Sequence, residues 1–279
     1  MFYYEQFFRT AIDGIDRSNI MPTTIQIGQV ILLISFLVAV YESYIRGGDV
    51  RMLGIAGVKY VALGLVLSAY ATVFRDINGM FNAFADFIAN STTGGDVFQM
   101  WLSDLRNHWR EFGVEGSWDL IMGGFAAIFG VVPMLVAYIV YPLTYAAFCF
   151  FYSFYGAVLY VLGPLVISLI PAFGVGSLGR SYLVNLMIFH FWGVIYSVLG
   201  ALMAAVNLAT VRDVLTADSF IGGFVGLEQS MLLGIASIFY SISLCAIPFL
   251  AARIVRGEAF GTIANVVFNK IPLPSSLKP

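Results

Sequence analysis

Residues 120–179 of the chain read LIMGGFAAIFGVVPMLVAYIVYPLTYAAFCFFYSFYGAVLYVLGPLVISLIPAFGVGSLG, sixty positions in a row without Asp, Glu, Lys, Arg or His. A bilayer core of about 30 Å takes roughly 20 apolar residues as a helix, so this stretch suits two spans with a turn between them. A soluble core helix must return to solvent within about 10 to 20 residues. The stretch therefore predicts a hairpin inside a membrane.

Four prolines lie in this stretch: Pro133, Pro142 and Pro164 within it, and Pro171 near its end. Proline has no backbone N–H, so each one leaves a helix carbonyl without its usual donor. In a bilayer such a carbonyl needs a partner from a neighbouring helix. The hairpin is therefore expected to pack against protein and not to stand alone in lipid.

The composition is typical of an integral membrane protein. Of 279 residues, 60% are apolar and 11% are charged, and the formal net charge is −2. The chain has no basic tract, which argues against sequence-specific nucleic-acid reading and against a polybasic lipid anchor. Cys149 and Cys245 lie in apolar segments and are interpreted as small core residues. Charges within the first 20 residues argue against a cleavable signal peptide, so the first span is expected to serve as the insertion signal.

The predicted fold is an all-α, polytopic membrane bundle of six transmembrane helices, or five if one half of the hairpin is re-entrant. Hydrophobic periodicity and polar breaks divide the chain into five parts. These are an N-terminal amphipathic helix at 1–22, the first two transmembrane helices at 23–74, two amphipathic extramembrane helices at 75–118, the transmembrane bundle with the central hairpin at 119–256, and a C-terminal tail at 257–279. The first helix is expected to lie in the membrane interface, although packing on a partner's soluble part explains its pattern as well.

The distribution of basic residues suggests an orientation. With six spans both termini lie on one side of the membrane, and ten of the 14 Lys and Arg residues fall on that side. The positive-inside rule then places both termini in the cytoplasm. Five spans would move one terminus to the opposite side.

The predicted spans carry little reactive chemistry. A coupled transporter usually places charged residues near the bilayer midplane, and no predicted span clearly has one. Two histidines in unrelated segments supply neither a Ser–His–acid set nor a zinc site, so no catalytic, cofactor-binding or metal-binding function is expected. His190 is the one titratable group expected at depth. It is either a functional residue or a neutral imidazole bonded to a neighbouring helix.

A second candidate function is a small-molecule permease or channel with a path along the 182–211 helix. Its lining would be Asn185, His190, Tyr196 and Asn207, whose spacings do not share one clean helical face. A transporter also tends to show a repeat between its halves, and none stands out here. A third interpretation is a membrane chaperone or assembly factor that forms no pore.

The second half of the chain carries a pattern that resembles a known family. Gly163-Pro164-Leu165 lies near the end of an apolar span, and Arg180-Ser-Tyr182 opens the next long one after a short connector. The last span closes on Ile247-Pro248 and Arg253-Ile-Val-Arg-Gly257. Over residues 150–260 this pattern is similar to the polytopic inner-membrane subunit of type IV secretion and conjugation machines, the TrbL-like family. The compact 75–118 segment departs from many relatives, which carry larger extramembrane parts.

The resemblance implies a non-enzymatic scaffold or channel component in the cytoplasmic (inner) membrane, present in several copies at the base of a pilus or export channel. The partners it implies are other copies of the chain, pilin, other inner-membrane secretion subunits and a cytoplasmic ATPase. Translocated DNA or protein would be in contact only transiently, and lipid is a further expected ligand of the apolar, aromatic faces. The residues expected to pack or to contact partners are Gly163, Pro164, Arg180, Tyr182, His190, Phe151 and Tyr155.

Overall fold

The computed structural model of the chain describes residues 2–45, 47, 50–92, 95–107, 110, 124–171, 176–205 and 229–257. All regular structure in these ranges is α-helix, which confirms the predicted fold class. The helices are α1 (Tyr3–Arg17), α2 (Ile20–Ile45), α3 (Val50–Ser68), α4 (Tyr70–Thr92), α5 (97–107), α6 (Gly124–Leu169), α7 (Gly176–Ala205) and α8 (Gln229–Val255).

Within the uncharged stretch, Gly124–Leu169 form one continuous helix, α6, where the sequence predicts two spans and a turn. Pro133, Pro142 and Pro164 all lie inside α6. Neighbouring helices come close at two of them. A Cβ at Gly28 of α2 would lie 3.1 Å from the Pro164 carbonyl oxygen, and a Cβ at Gly234 of α8 would lie 2.9 Å from the Pro133 carbonyl oxygen. A membrane helix continues through prolines where packed neighbours support its backbone, which explains why α6 does not fold back at them.

Four helices are long and apolar enough to cross a membrane: Ile20–Ile45, Val132–Leu169, Ser177–Ala205 and Gly234–Val255. Leu53–Ser68 and Tyr70–Thr92 meet at a bend of 66°. If this bent pair crosses the membrane as one broken span, it is the fifth. The prediction of six spans counted two in the central hairpin. Among the described residues this hairpin is one continuous helix, α6, which counts as one span. Four spans leave both termini on one side and five place them on opposite sides, so the orientation stays a prediction.

α7 is the central helix of the bundle. Its span is 67% buried inside the protein, whereas the spans of α2, α6 and α8 are only 22–28% buried. α4, α6 and α8 pack around it. α4 runs parallel to α7, since the contacts of Tyr70 with Tyr182 and of Asn78 with His190 both join residues 112 positions apart. Side chains of α7 are therefore the ones most deeply enclosed.

A row of apolar side chains of α1 faces the protein. Phe2, Tyr4, Phe8 and Ile12 are at most 3% exposed. The rings of Tyr4 and Phe8 contact aromatic side chains of α4, α6 and α7. α1 thus lies in a groove of its own bundle, and contact with a membrane interface stays a prediction.

A cluster of charged and polar groups, which we call the latch, ties the C-terminal half of α1 to the bundle. It consists of Asp13 and Asp16 of α1, Arg75 of α4 and Tyr160 of α6. Arg75 Nη2 donates to Asp16 Oδ2 at 2.5 Å and lies 2.9 Å from Asp13 Oδ1, while the Tyr160 hydroxyl donates to Asp16 Oδ1 at 2.9 Å. The charged side chains are 35–49% exposed, so water screens these pairs and each contributes on the order of 0–1 kcal/mol.

Candidate functional site: a polar cluster inside the bundle

Five polar side chains meet where α1, α4, α6 and α7 come together, and we call them the interior cluster. Tyr4 comes from α1, Asn78 and Asn82 from α4, Tyr152 from α6 and His190 from α7. All five are at most 5% exposed. The ring of Tyr4 packs against that of Tyr152, and further aromatic rings surround the cluster. Polar groups at this depth are costly and therefore mark a candidate site.

Asn78 is the hub of the interior cluster. Its Nδ2 donates to the Tyr152 hydroxyl at 3.1 Å and lies 3.4 Å from His190 Nδ1, and its Oδ1 accepts from Asn82 Nδ2 at 2.9 Å. An amide nitrogen can only donate, so Nδ1 of a neutral His190 must accept and the imidazole proton must lie on Nε2. Asn78 therefore fixes the tautomer of His190.

Three atoms of the interior cluster have no hydrogen-bond partner among the described residues. They are the Tyr4 hydroxyl, Asn82 Oδ1 and His190 Nε2. Burial raises the pKa of Tyr4 well above its ordinary value, so its hydroxyl stays protonated and can donate. The cluster thus offers a donor at Nε2, an acceptor at Oδ1 and a hydroxyl that can do either. Buried polar groups are normally satisfied, so these three atoms are candidates for contact with a ligand or a water molecule.

An open crevice lies beside the interior cluster. It lies between α1 and α4 and has a volume of about 620 Å³. Its lining combines charged and apolar side chains: Arg9, Ile12, Asp13, Arg75, Asp76, Asn78, Gly79 and Met80. Asn78 belongs to both the crevice lining and the interior cluster, so the crevice borders the cluster.

A second polar site lies at the start of α5. Asp96 accepts hydrogen bonds from the backbone N–H of Phe98 at 3.1 Å, from the Tyr196 hydroxyl at 2.7 Å and from the Tyr145 hydroxyl at 3.3 Å. The bond to Phe98 is that of a helix N-cap, and the tyrosines belong to α7 and α6. Asp96 therefore anchors α5 to the bundle.

The Asp96 site predicts a pH dependence of stability. Burial raises the pKa of the Asp96 carboxyl, against the opposing effect of its hydrogen bonds. A carboxyl whose pKa is higher in the folded than in the unfolded state contributes stability below its unfolded pKa of about 3.9 and loses it as the pH rises through the folded value. We expect the melting temperature of the chain, relative to that of an Asp96→Asn variant, to fall between pH 4 and pH 7. A difference that is constant across this range would contradict the assignment.

The structure brings Gly163, Pro164 and Tyr182 of the resemblance pattern together. The Tyr70 and Tyr182 hydroxyls lie 2.5 Å apart, at 3.1 and 3.0 Å from the Leu159 carbonyl oxygen. A Cβ at Gly163 would overlap both hydroxyls. Because Gly163 has no side chain, the Tyr70 hydroxyl of α4 and the Tyr182 hydroxyl of α7 can approach α6 and bond to it. Pro164 is the next residue, and its carbonyl oxygen lies where α2 approaches.

The aromatic residues from Phe150 to Tyr155 lie on two sides of α6. Phe151 is 58% exposed, and its neighbours Phe150 and Phe154 are similarly exposed at 55% and 59%. Tyr155 is half-buried, and its ring stacks on Trp192 of α7 at 5.3 Å. Phe151 is thus available to a partner or to lipid, whereas Tyr155 packs within the chain.

The polar residues predicted to line a permease path are largely enclosed in the described part of the chain. His190 and Tyr196 are each 1% exposed and packed among aromatic rings, and Asn185 is half-buried. Asn207 lies outside the described residues. Arg180 is exposed and borders a shallow apolar groove with Ile170, Leu183 and Val255.

Sequence reasoning missed most of the interior cluster because α4 buries two polar side chains and exposes apolar ones, which is the reverse of a soluble amphipathic helix. Its buried side is Tyr70, Phe74, Asn78, Asn82, Ala85 and Ala89. Phe84 and Phe87, on another side of α4, are 53% and 68% exposed. The spacing of four between Asn78 and Asn82 was the available signal.

Among the residues that the structure describes, no three His, Cys, Asp or Glu side chains come close enough to hold a metal ion. Comparison with protein-family models, with curated proteins and with solved structures finds no match to the chain.

Proposed function

We propose that the chain is a non-enzymatic scaffold or channel component of a type IV secretion or conjugation-like machine, several copies of which form a platform in the inner membrane. α6 carries the proposal. Its exposed apolar side chains extend from Val132 to Leu162 through Ile139, Leu143, Phe151 and Val158. Such a stripe needs an apolar environment along its whole length.

A bilayer is too thin to cover this stripe. Val132 and Leu162 are 30 positions apart, which is about 45 Å along a helix. Even at a steep tilt of about 40° the stripe would project to roughly 34 Å, against a hydrocarbon thickness of about 30 Å. Contact with protein would cover the remainder of the stripe, and other copies of the chain are the simplest source.

The resemblance over residues 150–260 supplies the identity of the machine in this proposal. Three of the residues that carry the resemblance, Gly163, Pro164 and Tyr182, lie at one junction of four helices. The proposed partners are pilin, other inner-membrane secretion subunits and a cytoplasmic ATPase, with the exposed phenylalanines of α6 as the contact for hydrophobic pilin or for lipid.

Gentle detergent extraction followed by native mass spectrometry tests the proposal. We expect a homo-oligomer of ring size that brings pilin or an ATPase with it. A monomer or dimer without any protein partner would overturn the proposal.

A substitution on α6 tests whether the stripe is a copy-to-copy contact. Aromatic pairs contribute about 0.5–1.5 kcal/mol each beyond area burial. Changing Phe150, Phe151 and Phe154 together to leucine should therefore raise the dissociation constant of the oligomer at least tenfold, measured by dilution in detergent. The matched control changes three exposed phenylalanines of α4 and α8 to leucine: Phe84, Phe87 and Phe239. An equal loss in the control would show a general solvation effect.

A further inference from the structure

We infer that the shallow groove beside Arg180 binds an anionic phospholipid, whose acyl chain lies in the groove and whose phosphate meets arginine side chains at its mouth. We call it the Arg180 groove. Residues of α7, the end of α8 and the residue after α6 line it: Ile170, Gly179, Arg180, Leu183, Val184, Met187 and Val255. The site uses neither the exposed stripe of α6 nor contact between copies, so it does not depend on the proposed scaffold function.

The lining of the Arg180 groove suits an acyl chain. The groove has a volume of about 410 Å³, and Arg180 is the one polar side chain among the described residues that line it. Arg180, Leu183 and Met187 are spaced i, i+3 and i+7, which places them on one face of α7. Leu183 and Met187 are 60% and 46% exposed. The groove therefore offers apolar surface along two helical turns, with a positive charge at one end.

The Arg180 groove lies where three candidate spans end. The span of α6 ends at Leu169, that of α7 begins at Ser177 and that of α8 ends at Val255. Arg180 is thus in the first turn of a span, where an arginine side chain reaches the lipid headgroups. The apolar lining continues from there toward the hydrocarbon, where acyl chains and not water fill a surface groove.

The charged residues at this end of the three helices are all basic. α6, α7 and α8 contain no Asp or Glu, and their Lys and Arg residues are Arg180 and Arg253, with Arg256 directly after α8. All three arginines are exposed, and none forms a salt bridge within the part of the chain that the structure describes. The Arg253 guanidinium lies over the ring of Phe249, 5.5 Å from its centroid. This end of the bundle therefore attracts an anion.

An anionic phospholipid matches both features of the site. An arginine guanidinium donates two parallel hydrogen bonds to phosphate oxygens, and basic pockets between membrane helices bind anionic headgroups. A free phosphate ion would leave the apolar lining uncovered. A lipid without net charge would leave the arginines without a counter-charge. A lipid that combines an acyl chain with a net negative headgroup satisfies the groove and its mouth together.

A lipid titration followed by native mass spectrometry tests the site on the full chain in detergent. The probes are dioleoylphosphatidylglycerol and dioleoylphosphatidylcholine, which have the same acyl chains and differ in headgroup charge. One arginine near an anionic headgroup strengthens binding about fivefold, so we expect phosphatidylglycerol to bind at least tenfold more tightly than phosphatidylcholine. Equal binding of the two lipids would show ordinary solvation by lipid and would overturn the inference.

An Arg180→Gln variant tests the charge at the mouth. It should bind phosphatidylglycerol about fivefold more weakly and phosphatidylcholine as before. The matched control is Arg106→Gln in α5, which is also exposed. α5 packs near the other end of α7, since a Cβ at Gly200 would lie 3.6 Å from the Phe98 ring. Unchanged binding by Arg180→Gln, or an equal loss in the control, would contradict a headgroup site at Arg180.

A Leu183→Trp variant tests the acyl-chain part by filling the groove without changing charge. We expect it to lose at least fivefold in affinity for phosphatidylglycerol although Arg180 is retained. The control is Leu202→Trp, which is on the same helix, 57% exposed and outside the groove, and should bind as the unaltered chain does. The substituted residues are all exposed, so circular dichroism should show the same helix content in each variant. Full affinity in Leu183→Trp would overturn the placement of the chain.

Inorganic phosphate distinguishes a lipid headgroup from a free anion. Phosphate is added as a competitor at constant ionic strength, with chloride as the balancing anion. We expect bound phosphatidylglycerol to stay in place, because its acyl chain contributes to affinity. Displacement by phosphate, together with full affinity in Leu183→Trp, would assign the arginines to a free anion and would overturn the lipid site.

Discussion

Replacing Gly163 with alanine should destabilise the chain by roughly 2–4 kcal/mol, because the new methyl group overlaps the hydroxyls of Tyr70 and Tyr182. Both rings are buried, at 5% and 7% exposure, and cannot move aside freely. Moving them also removes the hydrogen bonds to the Leu159 carbonyl oxygen. The measurement is thermal unfolding in detergent, where we expect a melting temperature lower by about 5–10 °C.

The matched control is Gly54→Ala in α3, the same chemical change at a site with open space. Nothing lies within 4 Å of a Cβ at Gly54. Alanine is favoured over glycine in a helix by about 0.5–1 kcal/mol, so this variant should be unchanged or slightly more stable. If Gly163→Ala behaved in the same way, the junction would not be as tight as its geometry implies.

The fold class could be predicted from composition because a long uncharged stretch has few structural solutions. The start of α2 at Ile20 was predicted to within a few residues, at 23, since it follows from polar residues beside an apolar run. The course of α6 could not be predicted from the stretch alone. Whether Pro133, Pro142 and Pro164 turn a chain back depends on the helices packed beside them, and those contacts come from Gly28 and Gly234, far away in sequence.

The candidate site, too, could be predicted only in part, because its contacts join residues far apart in sequence. The pattern indicated Gly163 and Tyr182, but the third member of that junction, Tyr70, is 112 positions from Tyr182. His190 was predicted either as functional or as bonded to a neighbouring helix, and the structure places Asn78 of α4 beside it. Asn78 itself was missed because an amide beside phenylalanines predicts a solvent-facing position in a soluble helix, whereas lipid reverses that preference.

Replacing Asn78 with alanine should cost roughly 2–4 kcal/mol, since one side chain serves three partners. Hydrogen bonds inside membrane bundles contribute about 0.6 kcal/mol on average and up to about 1.7. The variant leaves the Tyr152 hydroxyl, His190 Nδ1 and Asn82 Nδ2 without Asn78. Unfolding in SDS, with folding checked by circular dichroism, gives the loss.

The same substitution at Asn90 is the control, because Asn90 is exposed on the same helix. Its stability should stay within about 0.5 kcal/mol of the unaltered chain. A comparable loss at Asn90 would mean that α4 tolerates alanine poorly everywhere and that the hub has no special role.

A double-mutant cycle of Asn78→Ala with Tyr152→Phe separates hydrogen bonding from packing. Tyr152→Phe removes only the hydroxyl, whose bond to Asn78 is 3.1 Å long. If that bond holds α4 to α6, the two losses should fall short of additivity by about 0.5–1.5 kcal/mol. Full additivity would show that the bond to Tyr152 does not hold α4 to α6, and the loss at Asn78 would then come from its contacts with His190 and Asn82 or from packing.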